Sequence, residues 1–137
     1  MPTDVVITHL PDTSDERGMS FSLPAETLAR LTIRDVHLAA VRPGYVRGNH
    51  YHTQKIELIT VIYSDDWSLH WDTGAGTPVQ FRTFSGSGAV TIEFPFLWSH
   101  AVRNDGKQDL WMFNTNDRAF DPMDPGTDQD APPRKIV

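Results

Sequence analysis

The sequence predicts an all-β protein, a sandwich or barrel of short strands. Three observations carry this. Runs rich in β-branched residues recur along the chain, Ile56-Glu-Leu-Ile-Thr-Val-Ile-Tyr63 being the longest and reading as largely buried. Turn signals separate them: Pro43-Gly44, Asp65-Asp66, Thr73-Gly-Ala-Gly76, Ser85-Gly-Ser-Gly88 and Asn104-Asp-Gly-Lys107. Only Pro24–Leu31 reads as helical, a turn or two opened by proline near its first position. A double-sheet jelly roll manages its edges well at this size.

Taken in order, Val5–Leu10 is the first candidate strand and Pro11 ends it. Asp12–Gly18 reads as loop, Met19–Leu23 as a short strand, and Leu31–Val41 alternates well enough for a long one. Asn49–His52 and Ile56–Tyr63 follow. In Trp67–Asp72, Trp67, Leu69 and Trp71 share one face while Ser68 and His70 share the other. Val79–Phe84, Ala89–Phe94, His100–Asn104 and Leu110–Asn114 complete the set. From Asp121 onward four prolines and clustered aspartates predict an irregular tail, residues 121–137, without its own core. No repeat or linker is evident, so residues 1–137 read as a single domain with a core at about 31–116.

Composition removes several function classes. With 137 residues, 39% apolar, the chain can bury a core without staples. It has no cysteine, which excludes disulfides, thiolate metal sites and cysteine nucleophiles, so any metal must be held by nitrogen and oxygen. A formal charge of −6 and a pI near 5.3 argue against a nucleic-acid partner. Part of that acidity is local, at Asp117, Asp121, Asp124, Asp128 and Asp130. No secretory signal is apparent and no apolar run approaches the roughly 20 residues that span a bilayer. The expectation is a cytoplasmic protein with no membrane partner.

The chemistry concentrates in Gly44-Tyr-Val-Arg-Gly-Asn-His50-Tyr-His52-Thr-Gln-Lys-Ile-Glu57. Alternate side chains of a strand share a face, so His50 and His52 can bind one ion together. With Glu57 and the distant His100 they make a ligand set that suits a divalent transition metal. An isolated His-x-His is weak evidence, but only four glutamates exist in the chain and one stands at ligand spacing. The competing reading is a polar network lining a cavity, satisfied by hydrogen bonds.

These residues resemble the cupin superfamily. Gly44-x5-His50-x-His52-x4-Glu57 matches its first motif at every ligand position, and Gly88, Pro95, His100 and Asn104 resemble the second. Ser64 and Leu97 replace motif glycines, and Gly88 lies one residue further from Pro95 than usual; these departures alter turns, not ligands. The resemblance implies an RmlC-like jelly-roll barrel, a double-stranded β-helix, with His50, His52, Glu57 and His100 on one divalent ion: zinc first, with iron, manganese or nickel open. A narrower resemblance covers about Arg42 to Thr127. The run Arg47-Gly-Asn-His-Tyr-His52, the run Trp111-Met-Phe-Asn-Thr-Asn116 and the segment Phe120–Thr127 are similar to the C-terminal cupin domain of capsular-polysaccharide enzymes that make UDP-linked deoxy amino sugars. There the cupin carries metal and epimerises a 4-keto sugar nucleotide, while a separate reductase domain completes the product. The chain has no dinucleotide-binding segment, so only the cupin half carries over.

Arg47 and Lys55 are the natural anion contacts for a nucleotide-sugar substrate, with surface ion pairs as the alternative. Lys55 or an unbound histidine is the candidate general base. Arg47-Gly48-x-His50 also resembles the Arg-Gly-x-His of metal-free dTDP-sugar 3,5-epimerases, in which the histidine is the base; His52 and Glu57 at ligand spacing argue against that role here. Trp98 is a candidate for stacking on a sugar or base. Tyr51 is expected in the core, Trp67 and Trp71 in the core or a dimer interface, and His9, His37 and His70 on the surface or a strand face. The tail aspartates read as a solvated segment ordered on contact.

The leading expectation is a metal-dependent epimerase or isomerase acting beside the ketone of a sugar nucleotide. The alternatives are an iron-dependent cupin dioxygenase on a small organic substrate, and a non-catalytic sugar-binding accessory or sensor. A homodimer and a separate reductase partner are expected by resemblance alone.

Overall fold

In a computed structural model, residues 2–119, 123 and 130–137 are described. The expected Phe120–Thr127 closing segment and Asp121, Asp124 and Asp128 lie outside these residues, except for Met123. Among the described residues the chain forms β1 (Val6–His9), α1 (Ala25–Ala29), β2 (Asp35–Val41), β3 (Val46–His50), β4 (Glu57–Tyr63), β5 (Trp67–Trp71), β6 (Gln80–Phe84), β7 (Gly88–Glu93), β8 (His100–Asn104) and β9 (Leu110–Asn116). The strands make two antiparallel sheets, ordered β1-β7-β4-β9-β2 and β3-β8-β5-β6. This is the expected all-β jelly roll.

Strand alternation decides the core. Val41, Ile59, Val61, Val90, Ile92 and Met112 face inward from the first sheet, and Trp67, Leu69, Phe84 and Val102 meet them from the second. Burying each such side chain stabilises by about 1.5–3 kcal/mol. Trp67 stacks on Phe84 with centroids 4.2 Å apart and planes within 7°, so Trp67 and Trp71 are core residues.

Some boundaries differ from expectation. Met19–Leu23 is not a strand: the segment joins only through the isolated bridge Asp12↔Phe21, and Met19 is 44% exposed. Its backbone is used locally, Thr13 N–H donating to the Ser20 carbonyl at 2.8 Å. The long strand expected from Leu31 begins only at Asp35, where pairing with Asn116 starts. The strand expected at Asn49–His52 lies upstream, and its end is reshaped. Gly48 pairs with Ala101 and His50 with His100, leaving Asn49 as an extra residue in a bulge. Asn49 has φ 60 and Gly48 φ 103, both in left-handed space.

The bulge depends on glycine, because a Cβ on Gly48 would lie 2.6 Å from the His100 carbonyl oxygen. Leu97 is the opposite case, a bulky residue at φ 71 where the motif places glycine, with 54% of its surface exposed. Left-handed backbone costs an L-residue about 1–2 kcal/mol. Denaturant unfolding should therefore show Gly48→Ala losing about 2 kcal/mol or more. The same measurement should show Leu97→Gly unchanged or gaining up to about 1 kcal/mol.

Candidate metal centre

Three elements and a loop converge at one end of the sandwich. His50 closes β3 and His100 opens β8, and the two are register partners. Glu57 opens β4 on the opposite sheet, on the same face as the core residues Ile59 and Val61. His52 follows in the loop after β3. The expectation that His50 and His52 share one strand face needs correcting, since the strand stops at His50. The bulge and the loop bring the rings together instead, with centroids 5.1 Å apart.

The His100 ring lies 5.1 Å from His50 and 5.3 Å from His52. One potential ligand atom from each of His50, His52, Glu57 and His100 lies within 4.8 Å of all the others. His52 Nε2 is 3.3 Å and His100 Nε2 3.5 Å from the same Glu57 oxygen. Phe94 stacks on His100 at 4.7 Å, and His100 Nδ1 faces the Trp98 carbonyl at 3.3 Å.

The donor set fits a divalent ion. His100 Nε2 is buried and has only the Glu57 oxygen near it, at 3.5 Å, a contact too long to satisfy it well, a costly arrangement unless something else does. His52 Nδ1 is engaged by the Asp130 carbonyl at 2.5 Å, which leaves Nε2 turned toward Glu57. Three imidazole nitrogens and one carboxylate oxygen suit zinc or a similar transition ion.

The electrostatics differ from one member of the cluster to the next. Burial pushes the Glu57 carboxyl up, but hydrogen bonding and the charges of His100 and His52 outweigh it and hold it well below the usual range. Burial, reinforced by the charge of His100, lowers His50 to about 4, so it is neutral near physiological pH. Burial also opposes the charged form of His52, but Glu57 and the Asp130 carbonyl outweigh it and raise that imidazole.

The other candidates are placed as follows. Arg47 lines a cavity of about 120 Å³ together with His37, His50, Glu57, His100 and Asn114, and its Nε donates to the Ala40 carbonyl at 2.7 Å. Lys55 is half-buried in the ligand loop and does not line that cavity. Trp98 packs against the core cluster, also away from the cavity lining. Tyr51 is not a core residue, because its ring lies under the Arg134 guanidinium at 4.5 Å. His70 sits on the outer face, 2.8 Å from the Ser68 hydroxyl and stacked on Phe81. Asn104 serves structure: it donates to the Val41 and Gln108 carbonyls and accepts from Gly106 N–H.

His37 is exposed on a strand face, as expected, but it also borders the cavity, and sequence reasoning did not foresee that or single out Asn114. They are register partners on β2 and β9, and the Asn114 side-chain oxygen is buried without a partner. The available signal was alternation, since His37 and Ala39 share a face with the core residue Val41.

The lowered His50 gives a pH test in metal-stripped protein. Between about 4 and 6.5 the unfolded chain binds a proton at this position that the folded chain does not. Stability must therefore fall as pH drops through that window. The raised His52 acts above 6.5 and Glu57 below 4.5, while His70, lowered by burial, adds to the upper part of the same window. Urea midpoints against pH should decline across it, and His50→Gln should make the decline shallower.

Comparison with known proteins follows this geometry. The sequence profile of the family described as "Polysaccharide biosynthesis C-terminal domain" matches residues 13–128. No protein of curated function matches by sequence. Among solved structures, the capsular polysaccharide assembling protein CapF of Staphylococcus aureus is 19% identical with a TM-score of 0.64, covering 93% of this chain and 34% of CapF. The chain thus spans about a third of the length of CapF. QdtA, a sugar 3,4-ketoisomerase of Thermoanaerobacterium thermosaccharolyticum solved with TDP, is 13% identical with a TM-score of 0.65, covering 90% of this chain and 88% of QdtA. The RmlC epimerase of Mycobacterium tuberculosis is 15% identical with a TM-score of 0.66, covering 88% and 66%. At these identities the structures speak for a shared fold. With more than half its length matched, this jelly-roll chain belongs to the polysaccharide biosynthesis C-terminal domain family.

Proposed function

We propose that the chain binds one divalent transition metal through His50, His52, Glu57 and His100 and catalyses epimerisation or isomerisation beside the ketone of a sugar nucleotide. The carrying observation is the convergence of four potential ligand atoms within 4.8 Å, three of the residues, His50, Glu57 and His100, lining a cavity that His37 and Arg47 also line. The family and the fold shared with a ketoisomerase and an epimerase support the reaction class. When bound, the ion supplies Lewis acidity that makes the C–H beside a carbonyl easier to deprotonate.

The chain's own groups divide the remaining tasks. Arg47 is exposed and offers a forked cation for a pyrophosphate oxygen. His37 lines the cavity beyond the four ligands and is the imidazole placed to take and return a proton. Lys55 remains a second candidate for that role and for anion binding, since its charge is close enough to lower His50. Trp98 is retained as a stacking surface. Asn114 offers its unpartnered buried oxygen to a substrate hydroxyl.

No helix among the described residues is long and apolar enough to cross a membrane, and a cytoplasmic enzyme suits a nucleotide-sugar substrate. Action beside a reductase is a second reading, and it rests on the resemblance of the motif residues to capsular-polysaccharide enzymes. Pairing into a homodimer belongs to the same proposal, and sedimentation would measure it.

The test is solvent deuterium exchange into a panel of 4-keto sugar nucleotides, alongside metal analysis of the same samples. The parent should hold one ion per chain and exchange one or more of the panel. His52→Ala and Glu57→Ala should lose the ion and slow exchange by at least about 100-fold, and His37→Gln should slow it while keeping the ion. The proposal fails if nothing in the panel exchanges, or if losing the ion leaves the rate unchanged. Oxygen consumption by the iron-loaded protein would favour the dioxygenase instead.

A further inference from the structure

We propose that Asp130 is a positioning residue for the metal centre, and that the segment from Asp130 to Val137 is a strap that fixes both the ligand loop and the tautomer of His52. The inference rests on the metal-binding part of the reading above and not on the reaction.

The loop between β3 and β4 carries His52, and its next three N–H groups have no strand to pair with. One carboxylate takes all of them. Asp130 accepts from Thr53 N–H at 3.0 Å, Gln54 N–H at 2.6 Å and Lys55 N–H at 2.5 Å. It also accepts from the Thr53 hydroxyl at 2.5 Å. Asp130 adopts φ 58, and in that left-handed conformation its backbone carbonyl reaches His52 Nδ1 at 2.5 Å. Side chain and main chain of one residue thus grip the same loop. Aspartate is among the few L-residues that visit this region readily.

The rest of the strap is anchored beside the other ligands. Tyr51 N–H donates to the Pro132 carbonyl at 3.1 Å, and Arg134 N–H donates to the Asn49 carbonyl at 2.8 Å. Those bonds fall on both neighbours of His50. The Ser99 hydroxyl, next to His100, donates to the Arg134 carbonyl at 2.7 Å. The Arg134 guanidinium forks onto the buried Asp72 carboxylate at 2.7 and 3.0 Å and also donates to the Leu97 carbonyl.

The consequence for ligation is specific. A neutral imidazole carries its proton on one nitrogen, and the hydrogen bond made by one nitrogen decides which is left to bind metal. A carbonyl can only accept, so the Asp130 carbonyl requires the proton on Nδ1. Nε2, which faces the Glu57 oxygen at 3.3 Å, is then the nitrogen that gives up its proton when the ring becomes neutral, and so the one left for a metal. Supporting partners of this kind are worth 10–100-fold in metal affinity.

The test uses the full chain. In metal-free protein at mildly alkaline pH, nitrogen–proton correlation of the histidine rings should show His52 protonated at Nδ1 and bare at Nε2. Asp130→Ala should give mixed tautomers and bind zinc about 10–100-fold more weakly in chelator competition, and Asp130→Asn should recover much of both. A folded Asp130→Ala protein with the parent's tautomer and zinc affinity overturns the proposal. If Asp130→Ala does not fold, Asp130→Asn and Thr53→Val carry the test: each should weaken zinc a few-fold, and parent-like affinity with an unmixed tautomer in both overturns it. A parent that binds no zinc sinks the metal reading, while the tautomer signature still decides the strap.

Discussion

The site depends on one close approach, the backbone of Gly48 against the His100 carbonyl. A side chain there would meet that oxygen at 2.6 Å, so the β3–β8 pairing exists only because the position has none. The same glycine opens the bulge, and the bulge is what turns His50 to stand opposite His100. The placing of the cluster therefore follows from a steric fact about a residue outside it. Everything downstream, from the placing of His52 to the cavity wall, inherits its geometry from that contact.

Burial and charge then work together at the cluster. Each ligand is expensive to bury alone, and each is made tolerable by the others: Glu57 by two imidazoles, His52 by Glu57 and a carbonyl. His50 is left with no favourable partner strong enough to keep it charged. The cluster thus penalises a proton on His50, favours one on His52 and keeps Glu57 ionised.

Much of this was legible in the sequence, though unevenly. The residues that cluster, His50, His52, Glu57 and His100, were readable from spacing, because the motif holds imidazole and carboxylate at those positions. The reason offered for their convergence was too simple, since strand alternation cannot anticipate a bulge at Asn49 followed by a loop. That His37 borders the cavity was readable in principle from its alternation with Val41, but an exposed histidine on an edge strand gives no local sign of it. The role of Asp130 could not be read at all. It stands 75 residues from Lys55, whose N–H it accepts, and among clustered aspartates composition alone points to solvent. Tyr51 shows the same limit: its partner Arg134 belongs to a stretch that reads as irregular.

The distribution of the four ligands between the sheets has a mechanical meaning. His50 and His100 belong to one sheet and Glu57 to the other, so an ion held by all of them would tie the two layers across their open end. In a chain with no cysteine, such a tie would act as a reversible cross-link. It would close the loop between distant segments, as a disulfide does, but be set by metal supply and not by redox state. Splaying of the layers, and with it the width of the cavity mouth, would then be governed by occupancy.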